Sequence, residues 1–74
     1  MKEDEKQFLL LIYQNKKINT RDIINSALCE INHKRCWYLL EKWSNKGWYD
    51  YGVTLDLGWL TNEGVIKAEE ILST

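Results

Sequence analysis

The chain has 74 residues, a formal net charge of −1 and no proline, which predicts one small domain and excludes a strongly basic nucleic-acid binder. Four Trp, four Tyr and one Phe supply the large side chains that a core of this size needs. The longest apolar run, Phe8–Tyr13, is too short to span a bilayer, so we expect no membrane partner. No secretory signal pattern accompanies the two cysteines, so we expect a cytoplasmic protein with reduced thiols.

The first predicted helix covers about residues 4–15. Its apolar positions fit a helix that packs on one side, and they are Phe8, Leu9, Leu11 and Ile12. The polar run at residues 15–17 ends this helix, and Ile18 and Asn19 favour a short extended segment.

The second predicted helix covers about residues 20–28, with Thr20 as its N-cap and Asp22 in the favoured first turn. We expect it to bury Ile23, Ile24 and Leu28. A short turn at residues 29–31 then leads to Asn32, the expected N-cap of the next helix. Two helices joined in this way predict a helix-turn-helix.

The third predicted helix covers about residues 32–46 and has two distinct sides at about 100° per residue. The core side carries Cys36, Leu39, Leu40 and Trp43. The outward side carries Lys34, Tyr38, Glu41 and Lys42, with Arg35 and Trp37 on its flanks. Residues 31–48 hold a net charge of +3, which is typical of a helix that faces phosphates.

A β-hairpin is predicted at about residues 48–61, after a helix stop at Gly47. Its strands lie at about 48–52 and 58–61, and we expect Trp43, Trp48 and Trp59 in the core. The last helix, about 62–72, begins at a cap supplied by Thr61 or Asn62. Its apolar stripe is Val65, Ile66, Ile71 and Leu72, and it either folds back on the core or extends as a dimerisation arm.

This order of elements predicts an α+β, mostly α, winged helix-turn-helix domain spanning residues 1–74, with three helices, a β-hairpin wing and a C-terminal helix. Two runs resemble small winged-helix proteins of the MarR, PadR and phage-repressor type. The run LLEKWSNKGWYDYG resembles their passage from recognition helix to wing, and the run GWLTNEGVIKAEEIL resembles their return strand and closing helix. The small domain also resembles those of phages and mobile elements. The resemblance implies that the third helix enters the major groove and that the wing tip contacts the DNA backbone. This tip, residues 53–57, departs from the pattern because it carries only the acid Asp56.

The resulting hypothesis is a non-catalytic DNA-binding transcriptional regulator. Its candidate contact residues are Lys17, Arg21, His33, Lys34, Arg35, Trp37, Tyr38, Lys42 and Lys46. There are simpler interpretations of these residues. The cations can be ordinary solvated surface, and Trp37 can pack in the core. Two other functions stay open: a single-stranded-DNA-binding subunit of a mobile-element replication complex, with Trp37 and Tyr38 stacking on bases, and a protein adaptor or inhibitor. A homodimer through the terminal helices is a further partner hypothesis.

Neither catalysis nor a cofactor is predicted. The single histidine has no nucleophile beside it in a recognisable motif, and each of the four glycines fits a turn or a cap. Cys29, His33 and Cys36 have a spacing that would line one face of an unbroken helix. The turn expected at residues 29–31 breaks that face and no fourth ligand is evident, so we expect inert cysteines and no metal.

Overall fold

The computed structural model describes residues 1–74 and has the predicted α+β, mostly α, winged-helix-like layout. Its helices are α1 (Glu3–Gln14), α2 (Thr20–Ile24), α3 (His33–Lys46) and α4 (Asn62–Leu72). Its strands are β1 (Tyr49–Tyr51) and β2 (Gly58–Leu60), with a 3₁₀ turn at Leu55–Leu57 between them. None of the helices is long and apolar enough to cross a membrane.

Helix α2 is shorter than predicted. It ends at Ile24, and the connection to α3 occupies residues 25–32 rather than a short turn. The Ser26 hydroxyl donates to the Ile23 carbonyl over 2.7 Å and accepts from the Leu28 N–H over 3.3 Å. Such local bonds compete with helical hydrogen bonds. As a result Leu28 lies on the surface, and the prediction that it is buried was wrong.

The N-cap of α2 also differs from the prediction. Asn19, not Thr20, accepts the capping bond, from the Asp22 N–H over 2.8 Å. Thr20 is the first helical residue and is buried, where its hydroxyl contacts the wing instead.

Three other helix boundaries follow the sequence signals. The Asn32 side chain caps α3 by accepting from the Lys34 N–H over 2.8 Å. Gly47 ends α3 with a left-handed φ of 81°, a conformation that side chains with a Cβ rarely adopt. The Thr61 hydroxyl caps α4 by accepting from the Gly64 N–H over 3.2 Å. These caps fix both ends of α3 and the start of α4.

The core is built mainly from α1 and α3. Its buried apolar residues are Phe8, Leu9, Ile12, Ile23, Ile24, Cys36, Leu39, Leu40, Trp43, Tyr49 and Ala68. The predicted core side of α3 is therefore confirmed. The rings of Phe8 and Trp43 stack with centroids 5.4 Å apart, and large side chains buried in this way each contribute about 1.5–3 kcal/mol.

The wing is a two-stranded antiparallel sheet in which Tyr49 pairs with Leu60 and Asp50 with Trp59. Because side chains alternate along a strand, Tyr49 points into the core while Trp59 lies on the opposite face. Trp59 is 53% exposed, so its prediction as a core residue was wrong. Trp48 is half-buried under the ammonium groups of Lys46 and Lys67, which lie 4.9 and 5.5 Å from its ring centroid.

Helix α4 folds back onto the core. Ala68 is its buried apolar residue, and the Tyr13 hydroxyl of α1 donates to Glu69 over 3.1 Å. Gly64 allows this approach, since a Cβ there would collide with the backbone carbonyl of Trp48. Ile66 and Leu72 are exposed, so the predicted apolar stripe was wrong at these two positions.

Candidate nucleic-acid interface

Helix α3 presents a continuous outward face on the side opposite the core. The exposed residues of this helix are His33, Lys34, Trp37, Tyr38, Glu41, Asn45 and Lys46. Trp37 is 42% exposed and Tyr38 is 56% exposed, so neither ring is used to fill the core. We call these seven residues the α3 face.

Arg35, a predicted contact residue beside this face, forms an ion pair with an acid of the same chain. Its Nε and Nη2 donate to the two carboxylate oxygens of Asp4 over 2.9 and 3.2 Å. The hydrogen bond from Arg35 is the main cause that lowers the pKa of Asp4. The guanidinium also lies 5.3 Å from the Tyr38 ring centroid. Arg35 therefore ties α3 to α1 and lies over the Tyr38 ring.

Lys42 is paired as well, with a carboxylate that the sequence did not single out. Glu5 is 2% exposed and accepts from the Lys42 ammonium over 3.0 Å and from the Trp43 indole N–H over 2.8 Å. Burial alone would raise the pKa of Glu5, but the two hydrogen bonds outweigh it and hold the pKa below its ordinary value. The charge of Lys42 is thus largely balanced inside the chain.

Arg21 connects α2 to the wing. Its Nε and Nη2 donate to Asp56 over 2.7 and 3.2 Å, and the Thr54 hydroxyl donates to the same carboxylate over 2.9 Å. The bond from Arg21 is the main cause that lowers the pKa of Asp56. Asp56 is buried and paired with Arg21, so the charge of the wing-tip acid is balanced within the chain.

The remaining predicted contact residues are exposed and take part in none of the three ion pairs. Lys34 and His33 lie in the first turn of α3, Lys46 lies in its last turn, and Lys17 lies in the α1–α2 connection. Five of the nine predicted residues therefore lie exposed on α3 outside the three ion pairs, and they are His33, Lys34, Trp37, Tyr38 and Lys46. Lys17 is exposed in the α1–α2 connection, whereas Arg21, Arg35 and Lys42 bind carboxylates.

One tyrosine side chain links the segments of the wing to each other and to α2. The buried Tyr49 hydroxyl donates to the Leu55 carbonyl over 2.7 Å, accepts from the Gly58 N–H over 2.9 Å, and lies 3.2 Å from the Thr20 hydroxyl. Burial is the main cause that raises the pKa of this phenol. The tip of the wing carries no cation, and Val53 is 88% exposed there.

Glu5 and Tyr49 are the residues that sequence reasoning missed. The signal for Glu5 was present: it precedes Phe8, Leu9 and Ile12 by three, four and seven residues, which places it on the buried stripe of α1. Tyr49 carried no comparable signal, because its three partners are distant in sequence or depend on the shape of the wing.

The two cysteines lie side by side. The Sγ atoms of Cys29 and Cys36 are 3.7 Å apart, and no group of three or more His, Cys, Asp or Glu side chains is arranged to hold a metal ion. His33 is exposed on the α3 face.

No protein-family model matches the sequence, and neither a curated protein nor a solved structure matches the chain.

Proposed function

We propose that this chain is a non-catalytic DNA-binding protein that contacts duplex DNA through the α3 face, in the role of a transcriptional regulator. One observation carries the proposal. The second helix of a helix-turn-helix-like pair lies on the surface with Lys34, Trp37, Tyr38 and Asn45 unburied, where such helices meet the major groove.

The side chains of this face suit both kinds of DNA contact. The Lys34 ammonium suits a phosphate, whereas the Tyr38 hydroxyl and the Asn45 amide can exchange hydrogen bonds with base edges. Trp37 offers an apolar surface of the kind that contacts a thymine methyl group. The tip of the wing, which lacks cations, adds little electrostatic attraction.

The expected affinity is modest because three cations are paired with acids. Arg21, Arg35 and Lys42 hold carboxylates at 2.7–3.0 Å, which leaves few charges for phosphate. Since one small helix also reads few base pairs, specific regulation requires two copies on one site. The exposed Ile66 and Leu72 of α4 support a homodimer through the terminal helices.

A protein adaptor or inhibitor is the second candidate, favoured by the exposed pair Trp37 and Tyr38 beside balanced charges. Aromatic rings of this kind dominate the binding energy of protein interfaces. A single-stranded-DNA-binding subunit of a mobile-element replication complex would use the same rings for stacking, at about 1–3 kcal/mol per base.

The test is fluorescence anisotropy with labelled random duplex and single-stranded oligonucleotides at low salt. We expect Lys34→Ala to weaken duplex binding several-fold, because it removes the least encumbered cation of the α3 face. Lys6→Ala is the matched control, since Lys6 lies near the α4 residues Glu70 and Ile71.

Equal losses in the two variants would show that α3 is not the contact surface. If single strands bind more tightly than duplex and Tyr38→Ala removes that preference, the replication-subunit function replaces the regulator. No binding to either form would instead favour the protein adaptor, to be pursued by affinity capture with Trp37→Ala as the control bait.

A further inference from the structure

The only two cysteines of the chain meet behind the α3 face. Cys29 is half-buried in the connection between α2 and α3, and Cys36 is fully buried in the second turn of α3. Their Sγ atoms are 3.7 Å apart, and both lie within 3.9 Å of the Ile31 carbonyl oxygen. The two thiol groups therefore lie next to each other beside the Ile31 carbonyl.

A disulfide requires the sulfur atoms to approach to about 2.05 Å, so about 1.7 Å must be closed. Cys36 is held in place by the backbone of α3, through the bond from its N–H to the Asn32 carbonyl at 3.0 Å. Cys29 lies outside any helix or strand, and its N–H makes a longer bond of 3.3 Å to Ser26. The movement therefore falls on Cys29 and not on the core.

We propose that Cys29 and Cys36 are a reversible dithiol–disulfide site whose oxidant is a low-molecular-weight disulfide such as glutathione disulfide. The half-exposed Cys29 gives up its proton, and its thiolate attacks one sulfur of the oxidant. One thiol of the oxidant leaves, and a mixed disulfide forms on Cys29. The Cys36 thiolate then attacks the Cys29 sulfur and displaces the second thiol. Two protein thiols are oxidised and one external disulfide is reduced to two thiols.

The order of these two attacks follows from exposure. Cys29 is the sulfur that an external reagent can reach, whereas burial, followed by the neighbouring Cys29, raises the pKa of Cys36 to about 12. Because burial, the main cause of this raised pKa, persists in the mixed disulfide, the second attack needs a thiolate that is scarce at neutral pH. Its rate is expected to rise about tenfold for each unit of pH through the neutral and mildly alkaline range.

The disulfide would crosslink the α2–α3 connection to the core side of α3. Cys36 lies on the core side of the helix, opposite Lys34 and Tyr38, so the α3 face stays open in both forms. The restraint on the unfolded chain should raise the melting temperature by roughly 10–20 °C. This inference does not depend on the proposed function, because its measurements involve no nucleic acid.

The test incubates the full chain with glutathione disulfide, quenches with an alkylating agent and measures intact mass and peptide maps. We expect the loss of two hydrogens, a peptide that joins Cys29 to Cys36, full reversal by dithiothreitol, and faster closure at higher pH. Cys36→Ala should instead stop at one glutathione on Cys29, whereas Cys29→Ser should react little because Cys36 is buried.

A wild-type chain that keeps glutathione on Cys29 at high pH, or that forms intermolecular dimers, would overturn the proposal. So would an oxidised chain that melts at or below the temperature of the reduced chain. The wild-type experiment is decisive even if Cys36→Ala fails to fold, because it needs no variant.

Discussion

The buried carboxylate of Glu5 gives the most exacting prediction of the fold. Glu5→Ala removes the acceptor of the Trp43 indole N–H, which lies 2.8 Å away in the core. A buried donor left without a partner costs about 1–3 kcal/mol, and the lost methylene packing adds about 1 kcal/mol. Lys42 is partly exposed, so water can solvate its ammonium group once Glu5 is removed, and losing this ion pair costs little stability. We expect a destabilisation of about 2–4 kcal/mol, a large share of the stability of a domain this small.

The assay is urea denaturation followed by circular dichroism, with Glu3→Ala as the matched control. Glu3 and Glu5 both lie in the first turn of α1, so both substitutions lose a similar interaction with the helix dipole. Glu3 is exposed, however, and its removal should change the free energy of unfolding by less than about 1 kcal/mol.

The contribution of Glu5 to folding stability depends on pH in a definite direction. The pKa of Glu5 is lowered in the folded state, so its contribution to stability is present above the unfolded-state pKa and is lost as the pH falls through the folded-state value. Glu5→Gln should therefore remove part of the acid-induced loss of stability that the wild type shows. If Glu5→Ala matched Glu3→Ala in urea, the buried hydrogen bonds to Trp43 and Lys42 would not stabilise the fold as described.

Three further substitutions test the wing and its contacts. Tyr49→Phe removes the hydroxyl that bonds the partly buried Leu55 carbonyl and Gly58 N–H and should cost about 1–3 kcal/mol, measured by thermal denaturation. Gly64→Ala places a Cβ against the backbone carbonyl of Trp48 and should cost about 1–3 kcal/mol. Gly52→Ala is the control and should cost little, because nothing lies within 4 Å of a Cβ there. Equal effects of the two substitutions would contradict the close packing at Gly64. Arg21→Ala should raise the pKa of Asp56, as followed by carboxyl NMR titration, and an unchanged pKa would show that the ion pair does not persist in solution.

The elements that the sequence predicted well are those with local signals. The stripe of α3 is recorded in its own periodicity, and its ends are marked by Asn32 and Gly47. The hairpin follows from its β-favouring residues and from the glycines around it. Such signals act over one or two turns and need no knowledge of the rest of the chain.

The errors concern features that residue periodicity does not record: local side-chain hydrogen bonds, strand register and contacts between residues distant in sequence. The hydrogen bonds of Ser26 end α2 four residues before the predicted boundary, and Trp59 is exposed because its strand register turns it away from the core. At the candidate site, the sequence places the cations correctly on α3 but does not show that Arg35 and Lys42 bind acids in the first turn of α1. Pairings between residues more than thirty positions apart leave no periodic trace.

The salt dependence of duplex binding is the measurement that tests the proposed function most directly. Lys17, Lys34 and Lys46 are the predicted contact lysines that take part in no ion pair. With these three as phosphate contacts, the logarithm of the binding constant should fall with the logarithm of salt concentration with a slope of about −2 to −3, at about −0.9 per phosphate contacted. Lys34→Ala should reduce that slope by about one. A slope near zero, or a slope that Lys34→Ala leaves unchanged, would contradict DNA binding through α3.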